Sequence, residues 1–160
     1  MTRDTQALET VGLGIPFEDW TVGRKFKTVG RTVTDADITL FVGATGMTEV
    51  LFTDLEYLKE NSLIGQRPAP GALVYSMAEG LLMQSVMQHT GLAFLGMELT
   101  VKSPVLAGDT IHVECEVTET RPTSKPGRGI VTARCDVVKQ DGELALTYTC
   151  QRLVKARKAD

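Results

Sequence analysis

Long hydrophobic runs are missing from this chain of 160 residues. Nothing approaches the ~18 consecutive apolar residues of a membrane-spanning helix, so no span is expected. The opening, MTRDTQALETVG, has no apolar run either, and no secretory leader is expected. Histidine is scarce, with His89 and His112 the only two. The three cysteines, Cys115, Cys135 and Cys150, are odd in number and none has a CxxC partner. Neither a disulfide framework nor a zinc site is suggested. Each cysteine falls on the apolar phase of an alternating segment, which suits buried, inert thiols in a reducing cytoplasm. Excess positive charge is absent too. The net charge of -3 gives no reason to expect nucleic acid or an anionic membrane as partner. A nucleotide-binding glycine motif, a P-loop and a serine nucleophile elbow are all lacking.

What is present fits a globular protein, with 42% hydrophobic and 23% charged residues. The length predicts one domain over 1–160, with 1–15 and 156–160 as peripheral tails. The second half alternates. Ile111, Val113, Cys115 and Val117 share one phase of Thr110–Thr120. Val131, Ala133, Cys135 and Val137 repeat it, and so do Leu144, Leu146, Tyr148 and Cys150. Period-2 alternation is the signature of half-buried strands. Gln140-Asp141-Gly142 supplies a tight turn between two of them. Leu92–Val105 and Phe26–Val33 are further strand candidates. Neighbouring strands with short turns predict an antiparallel sheet.

The first half reads as helical. Thr34-Asp35-Ala36-Asp37 and Thr53-Asp54-Leu55-Glu56 have the pattern of capping boxes, with a hydroxyl N-cap and an acid at N3. Ala72–Met87 (ALVYSMAEGLLMQSVM) is apolar on nearly every face, which predicts a buried helix. A long buried helix followed by long strands predicts an α+β fold, an antiparallel sheet wrapped around a central helix.

Several segments resemble the MaoC-like dehydratases, the family of (R)-specific enoyl-CoA hydratases. Phe17-Glu18-Asp19-Trp20-Thr21-Val22-Gly23 is similar to the family's opening F-E-D-x-x-V-G. Gly30–Ile38 is similar to its first helix entry, and Pro104–Ile111 to its P-V-x-x-G-D-T-I turn. Arg128-Gly129-Ile130-Val131 matches a common hairpin segment. The resemblance spans about Phe17 to Val154 and implies the hot-dog fold. It also implies an acyl-CoA or related thioester as substrate, with coenzyme A part of that substrate and no separate cofactor or metal.

Two family motifs are altered. The family's catalytic loop reads G-D-x-N-P-x-H, its Asp and His activating water. Here the Asp position is Met47, the Asn position Glu49, the Pro position Val50 and the His position Phe52. The family's R-I-A-H-G-M is replaced by Arg67-Pro68-Ala69-Pro70-Gly71-Ala72, so another histidine position is Pro70. The resemblance implies that the Gly71 N–H, at a helix start, receives the thioester oxygen. Preorganised N–H groups there stabilise enolate-like charge. Pro70-Gly71 also serves simply to turn the chain into the helix.

Hydration needs proton transfers, each contributing about 10²–10⁴ in rate. Neither Met47 nor Phe52 can transfer a proton. Glu49 is the surviving candidate in the loop. Turned inward among Met47, Val50, Leu51 and Phe52 it would be poorly solvated and suited to acid–base work. Turned outward it is an ordinary solvated glutamate. Glu79 is the only charged residue within Ala72–Met87. It resembles the central-helix carboxylate of hot-dog thioesterases, a nucleophile or base toward hydrolysis. The alternative is a hydrogen-bonded acid at a helix edge or dimer contact. Arg121, Lys125 and Arg128 in a Pro/Gly-rich turn are cations suited to coenzyme phosphates or to plain solvent.

Three functions follow. One is a hydratase of altered chemistry, with Glu49 and the Gly71 N–H acting in a pocket shaped by Met47, Phe52 and Pro70. Another is an inactive thioester binder, a homodimer or higher homo-oligomer, or a partner subunit of an active homologue. The third is a thioesterase centred on Glu79. The paired loss of two proton-transfer positions to packing side chains favours the second in mechanism, while the family resemblance favours the first in label.

Overall fold

Alternating residues of the second half build a curled antiparallel sheet. The computed structural model describes residues 8–157. The strands are β1 (Lys25–Lys27), β2 (Arg31–Thr32), β3 (Gly91–Val101), β4 (Thr110–Pro122), β5 (Arg128–Lys139) and β6 (Leu144–Lys155). Their order is β1-β4-β5-β6-β3, with β2 also paired to β4. Ile111, Val113, Cys115 and Val117 are buried as their phase predicts, and so are Val131, Ala133, Cys135 and Val137. Phe26–Val33 forms two short strands instead of one, broken around Thr28–Gly30. The Thr28 hydroxyl takes the Val113 N–H at 3.0 Å in that break, so the ladder is interrupted without an orphaned donor.

The helices are α1 (Asp35–Thr45), α2 (Val50–Thr53), α3 (Leu55–Asn61) and α4 (Gly71–Leu82). Thr34 caps α1 in a true capping box. Its Oγ1 accepts the Asp37 N–H at 3.1 Å and the Asp37 carboxylate accepts the Thr34 N–H at 2.9 Å. The second predicted box is corrected. Asp54, not Thr53, caps α3, taking the N–H groups of Glu56 and Tyr57 at 3.0 and 2.9 Å. Thr53 ends α2, its hydroxyl donating back to the Glu49 carbonyl at 3.1 Å.

The apolar run Ala72–Met87 is not one helix buried all round. The α-helix stops at Leu82 and a π-helical turn follows, Met83–Met87. Leu73, Val74, Met77, Ala78, Leu81 and Leu82 pack on the sheet, while Ala72, Ser76 and Met83 are exposed. The sheet curls past α4, and β3 forms its edge. This is the hot-dog arrangement. Leu92, Phe94, Leu95, Met97 and Val101 of β3 remain exposed although their composition reads as core.

The chain near the termini is more firmly held than the predicted tails suggest. Gly14 and Ile15 N–H groups donate to Gln88 and Val86 carbonyls at 2.7 and 2.8 Å, closing the end of the π turn. A Cβ on Gly14 would lie 2.5 Å from the Val86 carbonyl oxygen, so only glycine fits that approach. The Arg157 N–H donates to the Glu18 carboxylate at 3.0 Å. The rest of the predicted tails, 1–7 and 158–160, lies outside the described residues.

The three cysteines are free and buried. Cys115 and Cys135 face each other across β4 and β5, sulfurs 3.7 Å apart. The hydrogen bond to Cys115, together with burial, pushes the Cys135 thiol up to about 12. It stays protonated and unreactive near neutrality.

Candidate functional site

The altered loop begins where α1 ends. Gly46 caps α1 in the left-handed region, φ 71°, a conformation that disfavours side chains with a Cβ. Met47 follows, 37% exposed. Glu49 then caps α2: its Oε2 accepts the Leu51 N–H at 2.6 Å. The side chain is exposed and already engaged, which is the solvated alternative rather than the inward one. Phe52 turns the other way and packs against the core.

Phe52 also lines a cleft of about 590 Å³, with Asp35, Thr39, Val42 and Arg67 among its walls. Arg67 ties the two sides together. Its Nε donates to the Phe52 carbonyl at 2.8 Å and its Nη1 to the Thr39 hydroxyl at 3.1 Å. In the sequence Arg67 stands only as the first residue of the altered Arg67–Ala72 motif. The structure makes it the clamp between the altered loop and α1.

Pro70 is fully buried and precedes Gly71, the first residue of α4. Amides in the first helical turn have no intrahelical acceptor, so the Gly71 N–H is free to meet a ligand oxygen. A small cavity of about 110 Å³ lies against Gly71, walled by Val74, Val101, Ser103, Val105 and Leu146. Its lining, completed by Ala69, Pro104 and Ala145, contains no acid and no histidine. Met47, Glu49 and Phe52 are not among the residues that wall it.

Glu79 lies two turns further along α4. The Tyr148 hydroxyl donates to its Oε1 at 2.7 Å, and Arg152 Nη2 bonds and ion-pairs with the same oxygen. Arg152 is 6% exposed. Its Nη1 reaches the Cys150 sulfur, and its guanidinium lies 5.9 Å from the Phe94 ring centroid. Tyr75 packs edge-on against Tyr148, centroids 5.3 Å apart. Burial, reinforced by the Glu79 charge, pushes the Tyr75 hydroxyl up to about 12, and burial drives Tyr148 upward as well. Both phenols therefore stay neutral at ordinary pH. Glu79 thus serves as the acceptor of a buried polar cluster, the hydrogen-bonded alternative. Sequence reading missed Arg152. Its signal was an arginine two residues after Cys150, on the apolar phase of β6.

The remaining candidates lie elsewhere. His112 is on the outer face of β4, its Nε2 3.1 Å from Glu114 Oε1. His89 follows the π turn, exposed, with φ 64°. Arg121, Lys125 and Arg128 sit around the β4–β5 hairpin, where the Thr123 hydroxyl donates to the Lys125 carbonyl at 2.7 Å. Among the described residues no group of three or more His, Cys, Asp or Glu side chains could hold a metal ion. No helix among them is long and apolar enough to cross a membrane.

Comparison with known proteins places this geometry. Residues 18–139 match the MaoC-like domain family. A crystal structure of a monoamine oxidase regulatory protein from Archaeoglobus fulgidus is 33% identical, with 91% of this chain and 97% of that one aligned at a TM-score of 0.79. A MaoC-like dehydratase from Rhodospirillum rubrum is 30% identical over 91% of this chain and 100% of the other, TM-score 0.79. An (R)-hydratase from A. caviae is 28% identical over 86% of this chain and 97% of the other, TM-score 0.68. No curated protein matches. The match covers most of the chain and agrees with a sheet curled round a central helix, so this chain belongs to the MaoC-like hydratase/dehydratase family.

Proposed function

We propose that the chain binds an acyl thioester, of coenzyme A or a related carrier, without itself hydrating it. One observation carries this reading: the cavity beside Gly71 has no acid or base in its wall. An oxyanion donor polarises a thioester carbonyl but moves no proton. Water addition across an enoyl thioester needs a base for the water and an acid for the α-carbon. Glu49 is engaged in capping α2, Asp54 caps α3, and Asp35, in the wall of the Phe52 cleft, faces the Arg67 guanidinium at 3.7 Å. Met47 and Phe52 put apolar side chains where the family carries proton-transfer groups, and Phe52 lines a cleft with them gone.

Such a chain has use as one subunit of an assembly. Among the described residues β3 is an edge strand, unpaired on its outer side over Gly91–Val101. A long exposed edge of this kind is a template for pairing with another chain. A second copy, or a homologue that retains the acid and base, fits along it. The first arrangement gives a homodimeric binder and the second a hydratase whose proton chemistry resides in its partner.

The test is paired. Purified protein is titrated with butyryl-CoA by calorimetry and, separately, incubated with crotonyl-CoA while enoyl absorbance is followed. Saturable binding without turnover is expected. Turnover by the purified chain alone refutes the reading and returns Glu49 to candidacy as acid–base group.

A further inference from the structure

The cavity beside Gly71 has a definite size and a definite chemistry. Its volume is about 110 Å³. Val101, 55% exposed, and the exposed Pro104 stand at its mouth, while the buried Val74, Val105, Ala145 and Leu146 close it within.

Ser103 is its one polar side chain among the described residues, and that hydroxyl is already engaged, donating to the Leu144 carbonyl at 3.1 Å. The main chain of the wall is engaged as well. The Ser103 N–H donates to the Ala145 carbonyl at 3.0 Å, the Ala69 N–H to the Val105 carbonyl at 2.7 Å and the Val74 N–H to the Pro70 carbonyl at 3.1 Å. Pro104 has no N–H to offer. A polar group entering here would leave water and meet no partner in return, which is unfavourable. A cavity walled in this way takes hydrocarbon.

We infer that this cavity receives the tail of the acyl group and limits it to a short chain, about four carbons beyond the thioester carbonyl. The inference rests on the thioester-binding reading above, which sets the carbonyl at the first turn of α4. The amides, phosphates and adenosine of coenzyme A are polar and far too bulky for this space, so the hydrocarbon tail is the part that fits. The chain length follows from the volume. An apolar cavity of about 150 Å³ takes benzene, roughly 25 Å³ per carbon. At that ratio 110 Å³ holds about four carbons. A longer tail must leave its end in water or force the buried walls apart, and overfilling packed space is unfavourable. Val74, one turn beyond Gly71, is the buried α4 side chain of the wall and so sets the depth from the helix side.

The experiment is a calorimetric titration of the full chain with acetyl-, butyryl-, hexanoyl- and octanoyl-CoA. Each methylene that enters the cavity is expected to tighten binding about fourfold. Butyryl-CoA should therefore exceed acetyl-CoA by about fifteenfold, hexanoyl-CoA should gain only about fourfold more, and octanoyl-CoA should be no tighter than hexanoyl-CoA. Val74→Ile adds one carbon to the wall and is expected to erase the gain from butyryl to hexanoyl. Val74→Ala removes two and is expected to restore the full gain at hexanoyl and to let octanoyl-CoA bind tighter still. Far-UV dichroism checks the folding of both variants, and the wild-type series decides by itself should either fail to fold. Affinity indifferent to chain length, or rising steadily through octanoyl-CoA, overturns the inference while leaving thioester binding in place. A limit that neither folded variant moves overturns it too. Failure of all four thioesters to bind removes the thioester reading itself, and this inference with it.

Discussion

The Tyr148 hydroxyl and the Glu79 carboxylate lie 2.7 Å apart although 69 residues separate them in sequence. β6 brings the phenol under the central helix, and Arg152 completes the cluster from the same strand. A carboxylate held by a phenol and a guanidinium in a nearly closed environment is a structural acceptor. Its removal strands the arginine charge. Glu79→Ala is expected to destabilise the fold by about 3–5 kcal/mol, the cost of breaking a buried pair from one side. Replacing both partners, Glu79→Met with Arg152→Met, is expected to recover most of that loss. Urea unfolding of the three proteins measures it. Wild type is expected to hydrolyse no member of an acyl-CoA panel; hydrolysis lost in Glu79→Ala restores the thioesterase reading.

Gly129 illustrates a steric requirement. A Cβ there would lie 2.2 Å from the Phe17 ring, which closes over β5 from the segment before β1. Gly129→Ala is expected to cost about 1–3 kcal/mol, the usual penalty for forcing extra volume into packed space. Adding Phe17→Ala removes the clash but also the ring's own packing. Part of the penalty should therefore be relieved, visible as coupling in a double-mutant cycle of thermal unfolding.

The α1 cap has a pH signature. Hydrogen bonds from Thr34, with the Arg31 charge assisting, hold the Asp37 carboxyl below its ordinary value of 3.8. A depressed folded-state pKa stabilises above the unfolded value and is lost as pH falls through the folded one. Asp37→Asn is expected to lower stability by about 1 kcal/mol at pH 7. The difference from wild type should shrink steadily below about pH 4. Denaturant midpoints collected across that range check it, and a gap that stays constant into acid contradicts it.

Gly71 offers a clean probe of the proposed oxyanion donor. It is the first residue of α4, where proline is well tolerated, and Pro70 before it already has extended geometry, ψ 135°. Gly71→Pro deletes one N–H while keeping the helix. A Cβ there meets the tip of Val101 at 3.3 Å. The variant is expected to fold with unchanged far-UV dichroism and to bind butyryl-CoA about tenfold or more weakly. Unchanged affinity removes the Gly71 N–H from the site.

How much of this was legible in the sequence depends on the kind of signal. Strands β4, β5 and β6 announce themselves because apolar residues alternate within each, as over Ile111–Val117, Val131–Val137 and Leu146–Cys150. The Thr34 cap is legible because one hydroxyl and one acid stand at the required spacing. At Thr53-Asp54 two capping residue types are adjacent, and only tertiary packing chooses Asp54. The π turn is hidden, since ALVYSMAEGLLMQSVM contains no proline and its one glycine, Gly80, lies before the break. The exposure of β3 is hidden for another reason. Periodicity reports which residues are apolar, while a strand's place at the sheet edge is a property of the whole topology. Arg152 is legible as an arginine in an apolar phase, and Glu79 as the only charge in Ala72–Met87, but nothing in the sequence pairs them. The apolar side chains of Met47 and Phe52 are legible without a structure, but the capping role of Glu49 is not.

The most direct test of the account is the behaviour of the purified chain with crotonyl-CoA. Calorimetry is expected to show saturable binding, while enoyl absorbance stays at the rate of the enzyme-free control. Loss of absorbance above that control, abolished by Glu49→Gln, would contradict the central claim and make this chain a hydratase in its own right.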